Sequence, residues 1–438
     1  MKTPICDFVR DYVNNEAMRL HMPGHKGKDF LGMEALDITE IDGADSLYEA
    51  SGIIRESEEN ASRLFGCPTF YSTEGSSQCI RAMLYLAVLH AKEQGKRPLI
   101  AAGRNAHKTF LTGAALLDLD VRWMYPKDGG SYLSCGLTAR DVEAVLEAEK
   151  PTAVYLTSPD YLGNVADIAA IANVCHRHGA LLLVDNAHGA YLRFLEPSRH
   201  PMDLGADLCC DSAHKTLPVL TGGAYLHCTE AFQDWAKNAL ALFGSTSPSY
   251  LILQSLDKAN PYLASLTDRL KEFVPYVEAD KKKLTKKGYV LYGQEPLKIT
   301  ISTKPYGYTG RELSTILGRQ NMVCEFADPD FLVLMLTPEN TQSELERLTQ
   351  TLLSIPAKAP ILEQPPRFYP GRRVCSPREA MLSPMETVPV TESEGRILAA
   401  ATVGCPPAVP IVVSGEAIDD HAMECFRYYG ITHCSVII

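Results

Sequence analysis

The sequence predicts an α/β protein in which a mainly parallel sheet is covered by helices on both faces. Between residues 55 and 230, short apolar runs alternate with amphipathic segments, and these runs have the length of buried strands. Glycines follow several amphipathic segments, at the position where helices commonly end. Two further apolar runs, 297–303 and 331–337, each precede a helical pattern and predict a smaller α/β domain.

Local signals place the individual elements. Gly66, Gly95 and Gly179 mark the ends of three predicted helices, and Thr138 with Asp141 three residues later forms a capping pattern at the start of another. The predicted helices are 56–65, 77–94, 138–149, 167–178, 249–287, 311–319 and 341–353. The predicted strands are 98–102, 153–157, 180–184, 297–303 and 331–337.

These elements divide the chain into four predicted parts. They are an N-terminal arm (1–45), a large domain (46–290), a small α/β domain (291–355), and a linker with a C-terminal region (356–438). The linker is inferred from its prolines. The sequence from 372 onward gives no clear assignment of helices or strands.

Composition excludes several classes of protein. The 438 residues are 46% hydrophobic, which is enough for a large core, and the net charge of −11 argues against a nucleic-acid-binding protein. No apolar run approaches the ~18 residues of a membrane helix, and the N-terminus lacks the apolar stretch of a signal peptide. The 13 cysteines include no CxxC pair, so we expect no disulfide framework, no metal site and a cytoplasmic location.

Two charged residues follow apolar runs at the expected edge of the sheet. Asp185 comes directly after the strand 180–184, and Lys215 stands thirty residues later, after a second apolar run. Alone, the aspartate could be a helix cap or an ion-pair partner, and the lysine a solvated loop residue. Together they are typical of a pyridoxal 5'-phosphate (PLP) site. There a lysine amine forms an imine with the cofactor aldehyde, and a carboxylate keeps the pyridine nitrogen protonated.

Further polar residues lie near the same edge. The segment STEGSS (72–77) places glycine and hydroxyls at the start of a helix, where free N–H groups and the helix dipole attract a phosphate, although such residues also serve as ordinary caps. Ser212 adds a donor three residues before Lys215. His107 follows the strand 98–102; it could stack on the cofactor ring or move protons, or be a structural loop histidine.

Several uncommon strings occur in an order that resembles the Orn/Lys/Arg decarboxylase family of fold-type-I PLP-dependent enzymes, and the similarity covers most of the chain. The strings are LHMPGHKG (20–27), the segment 42–66, STEGSS, RNAHKT (104–109), TSPDYLGNVADI (157–168), VDNAHGAY (184–191), the segment beginning DSAHKTL (211), STSPSY (245–250), SPREAM (376–381) and CPPAVPIVVSGE (405–416). The resemblance implies a PLP-dependent transferase-like large domain with a mainly parallel sheet of the seven-stranded type.

The resemblance also implies roles for individual residues. Lys215 would hold PLP, Asp185 would pair with the pyridine nitrogen, and His107 would stack on the ring. It also implies a homodimer or higher homo-oligomer with sites at the subunit interface, where Thr246 would reach the phosphate of a neighbouring subunit. The other residues of the implied cofactor site are Ala187 against the ring, His188, and the phosphate-binding Gly75, Ser76, Ser77, Ser212 and His214.

The chain departs from the family pattern at a few positions. Glu74 stands where Asn is common, and Asn186 where an acidic residue is usual. In the terminal motif, Cys405 replaces an aromatic residue, while Ala408 and Val409 replace Gly and Ile. None of these changes removes a group that imine chemistry needs. The chain resembles the short form of the family, without an extra N-terminal domain.

The implied reaction is decarboxylation of arginine, lysine or ornithine to the amine and CO2, with a role in polyamine biosynthesis among the physiological possibilities. Lys215, His107 and His214 are candidates for returning a proton to Cα. Glu416 is a candidate for binding the distal basic group of the substrate, or else a partner for the start of the following helix. The alternatives are an aminotransferase or another lyase of the same fold, and a non-catalytic relative that acts as a binding protein.

Overall fold

A computed structural model of the chain describes residues 1–125, 131–367, 369–400 and 408–438. Cys405, one of the departures from the family pattern, lies outside the described residues. Among the described helices, none combines the length and the apolar character needed to cross a membrane.

The helices alternate with strands through the first half of the chain. The helices are α1 (Pro4–Asn14), α2 (Ile53–Phe65), α3 (Gly75–Glu93), α4 (Lys108–Leu116), α5 (Ala139–Glu149), α6 (Ile168–Arg177), α7 (Ala213–Thr216), α8 (Gln233–Ala241), α9 (Tyr250–Leu263), α10 (Leu266–Lys287), α11 (Gly310–Gly318), α12 (Gln342–Ser354), α13 (Pro377–Leu382) and α14 (Asp420–Tyr429). The strands are β1 (Thr69–Ser72), β2 (Leu99–Gly103), β3 (Asp120–Met124), β4 (Ala153–Thr157), β5 (Leu181–Asp185), β6 (Leu208–Asp211), β7 (Ala224–Cys228), β8 (Val290–Tyr292), β9 (Lys298–Ser302), β10 (Phe326–Ala327), β11 (Phe331–Met335), β12 (Met385–Pro389), β13 (Leu398–Ala400) and β14 (His433–Ile437).

Capping signals in the sequence locate the helix ends well. Gly66 follows α2 with a φ of 75°, a left-handed conformation that glycine adopts without a steric penalty. Thr138 and Asp141 form the reciprocal capping box expected at the start of α5. The helical character predicted for 249–287 is confirmed, and the segment consists of two helices, α9 and α10.

The described chain forms two compact units, residues 1–97 with 168–270 and residues 98–167 with 271–438. In the first unit the strands lie in the order β1-β7-β6-β5, with β5 parallel to β6 and β7 antiparallel to both its neighbours. Every residue of β5 is buried, as expected of a strand covered on both faces. The predicted four-part division of the chain stays a prediction.

The second unit contains three groups of strands. β2 lies between β3 and β4 and is parallel to both, β8–β11 form an antiparallel sheet, and β14 pairs antiparallel with β12 and β13. The part from 372 onward, which the sequence left unassigned, therefore forms short strands with α13 and α14. Residues from β12, β14 and α14 share a small apolar core that includes Val388, Phe426 and Val436.

Candidate active site

The first unit brings Asp185 to the end of a buried strand. Asp185 is 2% exposed. Its Oδ1 accepts hydrogen bonds from the Ala187 amide at 3.2 Å and from the Cys210 thiol at 3.7 Å. Cys210 lies directly opposite Asp185 across the parallel β5–β6 pair. A carboxylate in this position can hold a cationic group at the carboxyl ends of the strands.

Lys215 lies beside this strand end. The short helix α7 follows β6 directly and presents the Lys215 Nζ 2.9 Å from the His188 Nε2. An ammonium group only donates, so a protonated Lys215 would donate to the imidazole nitrogen of His188 in this contact. His188 was expected in the cofactor site, but its contact with the lysine amine depends on the pairing of β5 with β6 and has no local sequence signal.

The start of α3 carries the expected phosphate-binding residues. The helix begins at Gly75, so that Gly75, Ser76 and Ser77 occupy its first turn. The Ser212 hydroxyl donates to the Ser76 hydroxyl at 2.7 Å, which brings donors from two chain segments together. The structure therefore gathers hydroxyls and a helix N-terminus, the arrangement that anions favour.

A glycine permits this close approach of loops. The Gly75 amide donates to the Gly222 carbonyl at 2.7 Å, and Gly222 has a φ of +102°. A Cβ at Gly222 would lie 2.9 Å from the Thr73 carbonyl oxygen, too close for a side chain. Only glycine lets the turn before β7 reach the loop that precedes α3.

A backbone carbonyl group fixes the orientation of the His214 ring. Its Nδ1 lies 3.0 Å from the Gly223 carbonyl, and a carbonyl only accepts, so Nδ1 carries a proton. The other nitrogen, Nε2, then donates only when the ring is an imidazolium. A phosphate contact through Nε2 would favour that charged form.

The departure at Glu74 has a structural role. Its carboxylate accepts a hydrogen bond from the Ser245 amide, and Ser245 precedes the exposed Thr246. Glu74 thus holds the loop that carries the residue expected to reach a neighbouring subunit.

His107 and Glu416 belong to the second unit. The His107 Nδ1 accepts from the Thr109 amide at 3.2 Å and caps α4. The Glu416 Oε2 accepts from the Val413 amide at 2.9 Å and lies 3.7 Å from an Arg104 Nη atom, with both side chains at most 4% exposed. Their proposed roles in stacking and in substrate binding stay predictions.

Glu416 was also considered as a partner for the start of the helix that follows. That helix is α14, and its N-cap is Asp419, whose carboxylate accepts from the Ala422 amide at 2.8 Å. The capping interpretation of Glu416 is therefore wrong.

Sequence reasoning missed a buried cluster around Asp211. The Asp211 Oδ2 lies 3.1 Å from the Nε2 atoms of both His200 and His227, and all three side chains are fully buried. Burial raises the pKa of Asp211, but the electrostatic interactions and hydrogen bonds of the two histidines outweigh it and hold that pKa well below its usual value. Burial lowers the pKa of His227. His200 and His227 lie 11 and 16 positions from Asp211 in the sequence, so only the folded structure shows that the three side chains meet.

This cluster predicts a loss of stability in mild acid. Because the pKa of His227 is lower in the folded protein, the unfolded chain binds a proton near pH 6.5 that the folded protein excludes. The free energy of unfolding should therefore fall as the pH drops below 6.5, and the Asp211 contribution should be lost below its ordinary pKa of 3.8. Urea denaturation at several pH values, with His227→Gln as the comparison, measures the first effect. Stability that rises on acidification to pH 5.5 would contradict it.

Two family models match the chain. The family model described as "Orn/Lys/Arg decarboxylase, major domain" matches residues 3–288, and "Orn/Lys/Arg decarboxylase, C-terminal domain" matches residues 373–434. An arginine decarboxylase of Bacillus subtilis (strain 168) is 29% identical, over 96% of this chain and 92% of the relative. The uncharacterized protein YaaO of the same organism is 29% identical, over 97% of this chain and 93% of the relative.

A solved structure supports the fold. The lysine decarboxylase LdcF of Francisella novicida superimposes with a TM-score of 0.82 at 15% identity, covering 100% of this chain and 81% of that protein. The predicted α/β fold of the fold-type-I PLP-dependent enzymes is confirmed. With the family model matching well over half of the sequence, the chain belongs to the Orn/Lys/Arg decarboxylase family.

Proposed function

We propose that this protein decarboxylates a basic amino acid (arginine, lysine or ornithine) to the corresponding amine and CO2, with PLP as its cofactor. The observation that carries the proposal is the pairing of the Lys215 amine with His188 at 2.9 Å, beside the buried carboxylate of Asp185, in a member of this family. The relative from Bacillus subtilis is named an arginine decarboxylase, so arginine is the first substrate to test.

The residues present fit PLP. Asp185 offers a buried carboxylate for the pyridine nitrogen, and Lys215 offers an amine for the aldehyde. Ser76 and Ser212 offer hydroxyls for the phosphate, and a Cβ at Gly75 would meet nothing within 4 Å, which leaves space at the first turn of α3. When bound, the cofactor supplies an electron sink for the pair released by loss of CO2.

The protein's own groups would supply binding, orientation and proton transfer. His188 can take the proton from Lys215, which leaves the amine unprotonated and nucleophilic. Asp185 would balance a positive charge on the ring nitrogen, and His214 a negative charge on the phosphate. Lys215, His107 and His214 remain the candidates that return a proton to Cα.

We also propose a homodimer or a higher homo-oligomer with interface sites. The segment after α1 exposes apolar side chains that water disfavours, and Thr246 is exposed in the same unit. The exposed apolar residues include Met18, Leu20, Met22, Phe30 and Leu31, each at least 67% exposed. A second copy of the chain would cover this segment. The cytoplasmic location stays a prediction.

The test is a product assay with each basic amino acid. Purified protein supplied with PLP is incubated with arginine, lysine or ornithine while CO2 and amine are trapped. We expect both products, in equal amounts, from one substrate. An oxo acid would indicate an aminotransferase instead, and cofactor binding without turnover of any tested amino acid would favour the non-catalytic relative.

A further inference from the structure

Asn186, the residue after the predicted cofactor carboxylate, makes a buried side-chain hydrogen bond to Asp211. The Asn186 Nδ2 donates to the Asp211 Oδ1 at 2.6 Å, and both side chains are fully buried. The Asn186 amide nitrogen donates to the Cys210 carbonyl at 3.0 Å. Among the described residues, the Asn186 Oδ1 has no hydrogen-bond partner, so the NH2 group alone fixes the side chain.

The surroundings of Asp211 make it an acceptor for several donors. The Nε2 atoms of His200 and His227 point at its Oδ2, while Asn186 and the Cys209 thiol face its Oδ1. Asp211 therefore meets donors on both oxygens. The Asn186 NH2 group supplies a donor to Asp211 Oδ1 that an ionised carboxylate at position 186 would lack, and two ionised carboxylates at this distance would repel each other.

His200, Cys209 and Asp211 also place their ligand atoms within 4.8 Å of one another, as the ligands of a metal ion would. The Met202 amide donates to the His200 Nδ1 at 3.4 Å, so Nδ1 accepts and the proton lies on Nε2, which faces Asp211. A histidine that binds metal through Nε2 would need its proton on Nδ1. The cluster is thus organised by hydrogen bonds around a carboxylate.

Asn186 also shapes the turn that carries His188. The Gly189 amide donates to the Asn186 carbonyl at 2.7 Å, and a Cβ at Gly189 would lie 2.0 Å from the Asn186 Oδ1. The asparagine side chain thus fills the inside of the turn. Ala187 and His188 lie between these two residues, and His188 contacts the Lys215 amine at 2.9 Å.

We propose that Asn186 and Asp211 are positioning residues: their hydrogen bond sets the place of His188 relative to Lys215 and so tunes the proton affinity of the Lys215 amine. The role of that amine rests on the proposed function. Among the described residues, the charged or titratable groups that face this assembly include Asp185, His188, Lys215, Asp211, His200, His227, Cys209, Cys210, Cys67, Cys79 and Tyr225. A shift of the turn changes the distance between the His188 imidazole and the Lys215 amine, and with it the hydrogen bond that favours one protonation state of the amine.

The test exchanges the two side chains. Asn186→Asp alone sets two carboxylates at a contact of 2.6 Å, and Asp211→Asn alone removes the charge while a rotated Asn186 amide can still offer its Oδ1 to the new NH2 group. The double exchange, Asn186→Asp with Asp211→Asn, restores the bond with donor and acceptor reversed. Asn238→Asp, at an exposed position of α8 in the same unit, is the control.

The readout is the pKa of Lys215, from the pH dependence of its acetylation, followed by mass spectrometry on the full chain without added cofactor. We expect Asn186→Asp to shift this pKa by about one unit, a tenfold change in proton affinity, with a smaller shift in Asp211→Asn. The double exchange should return the Lys215 pKa to within about 0.3 units of its value in the parent protein. Such a recovery is expected only of residues that interact with each other.

Two outcomes would overturn the proposal. One is a Lys215 pKa unchanged in Asn186→Asp while thermal unfolding shows a folded protein. The other is a double exchange that folds but fails to restore the pKa. Because acetylation is measured without PLP, its result is independent of whether the chain decarboxylates any amino acid. A parent protein that binds no PLP would instead contradict the proposed function.

Discussion

Replacing Lys215 with alanine is expected to abolish covalent retention of PLP and to lower decarboxylation by ~10³-fold or more, equivalent to about 4 kcal/mol of transition-state stabilisation. The physical reason is the loss of the amine that the fold places beside His188 and the buried Asp185. Binding of the phosphate through the first turn of α3 should survive, so PLP would still bind, but reversibly.

The measurement uses reduction of the PLP-loaded protein with borohydride, followed by mass spectrometry. In the parent protein, the added cofactor mass should lie on the peptide that contains Lys215. Lys258→Ala is the matched control, because Lys258 is exposed on α9 of the same unit. A Lys215→Ala protein that keeps the full adduct and its activity would show that another lysine holds the cofactor.

The elements that the sequence located well are those with local signals. The strand 153–157 matches β4 at both ends, and Thr138 caps α5 as its spacing with Asp141 predicts. Each signal depends on residues within one turn or one strand. Asp185 and Lys215 could be paired in advance because both follow apolar strands of the same sheet, and parallel strands bring their carboxyl ends to one edge.

The features that the sequence did not indicate depend on contacts between distant segments. Val388 pairs with Cys434 across β12 and β14, 46 residues apart, in strands that mix polar and apolar residues and lack the continuous apolar run of a buried strand. Asp211 meets His227 only because β6 and β7 are antiparallel, with Cys209 opposite His227. The sequence analysis predicted the start of α3 two residues late, because it assigned Gly75 to the preceding loop. In the structure, Gly75, with a φ of +71°, is the first residue of the helix.

The second large effect is expected from breaking the buried ion pair of Arg104 and Glu416, which should lower the free energy of unfolding. Both side chains are at most 4% exposed, and the Arg104 guanidinium also donates to the Pro410 and Ile411 carbonyls at 2.8 and 2.9 Å. Glu416→Gln leaves the buried cation without this carboxylate. Removing one partner of a buried ion pair costs about 3 kcal/mol of unfolding free energy or more.

The comparison that isolates this effect uses an exposed pair in the same unit. Arg396 and Glu386 lie 2.7 Å apart with side chains 34% and 48% exposed, so Glu386→Gln should cost less than about 1 kcal/mol. Urea denaturation can be followed through Trp123, whose ring lies 5.4 Å from the Arg104 guanidinium, in a Trp235→Phe background. The chain has two tryptophans, so this background leaves one reporter.

The same variant tests the proposed contact of Glu416 with the substrate. A stabilising role through Arg104 predicts that Glu416→Gln lowers the free energy of unfolding and that Arg104→Met with Glu416→Gln costs less than the sum of the single changes. A role in binding the distal basic group predicts a raised KM for the preferred substrate with unchanged stability. Because Glu416 already accepts from the Val413 amide and faces Arg104, we expect the first pattern, and an unchanged unfolding free energy would contradict it.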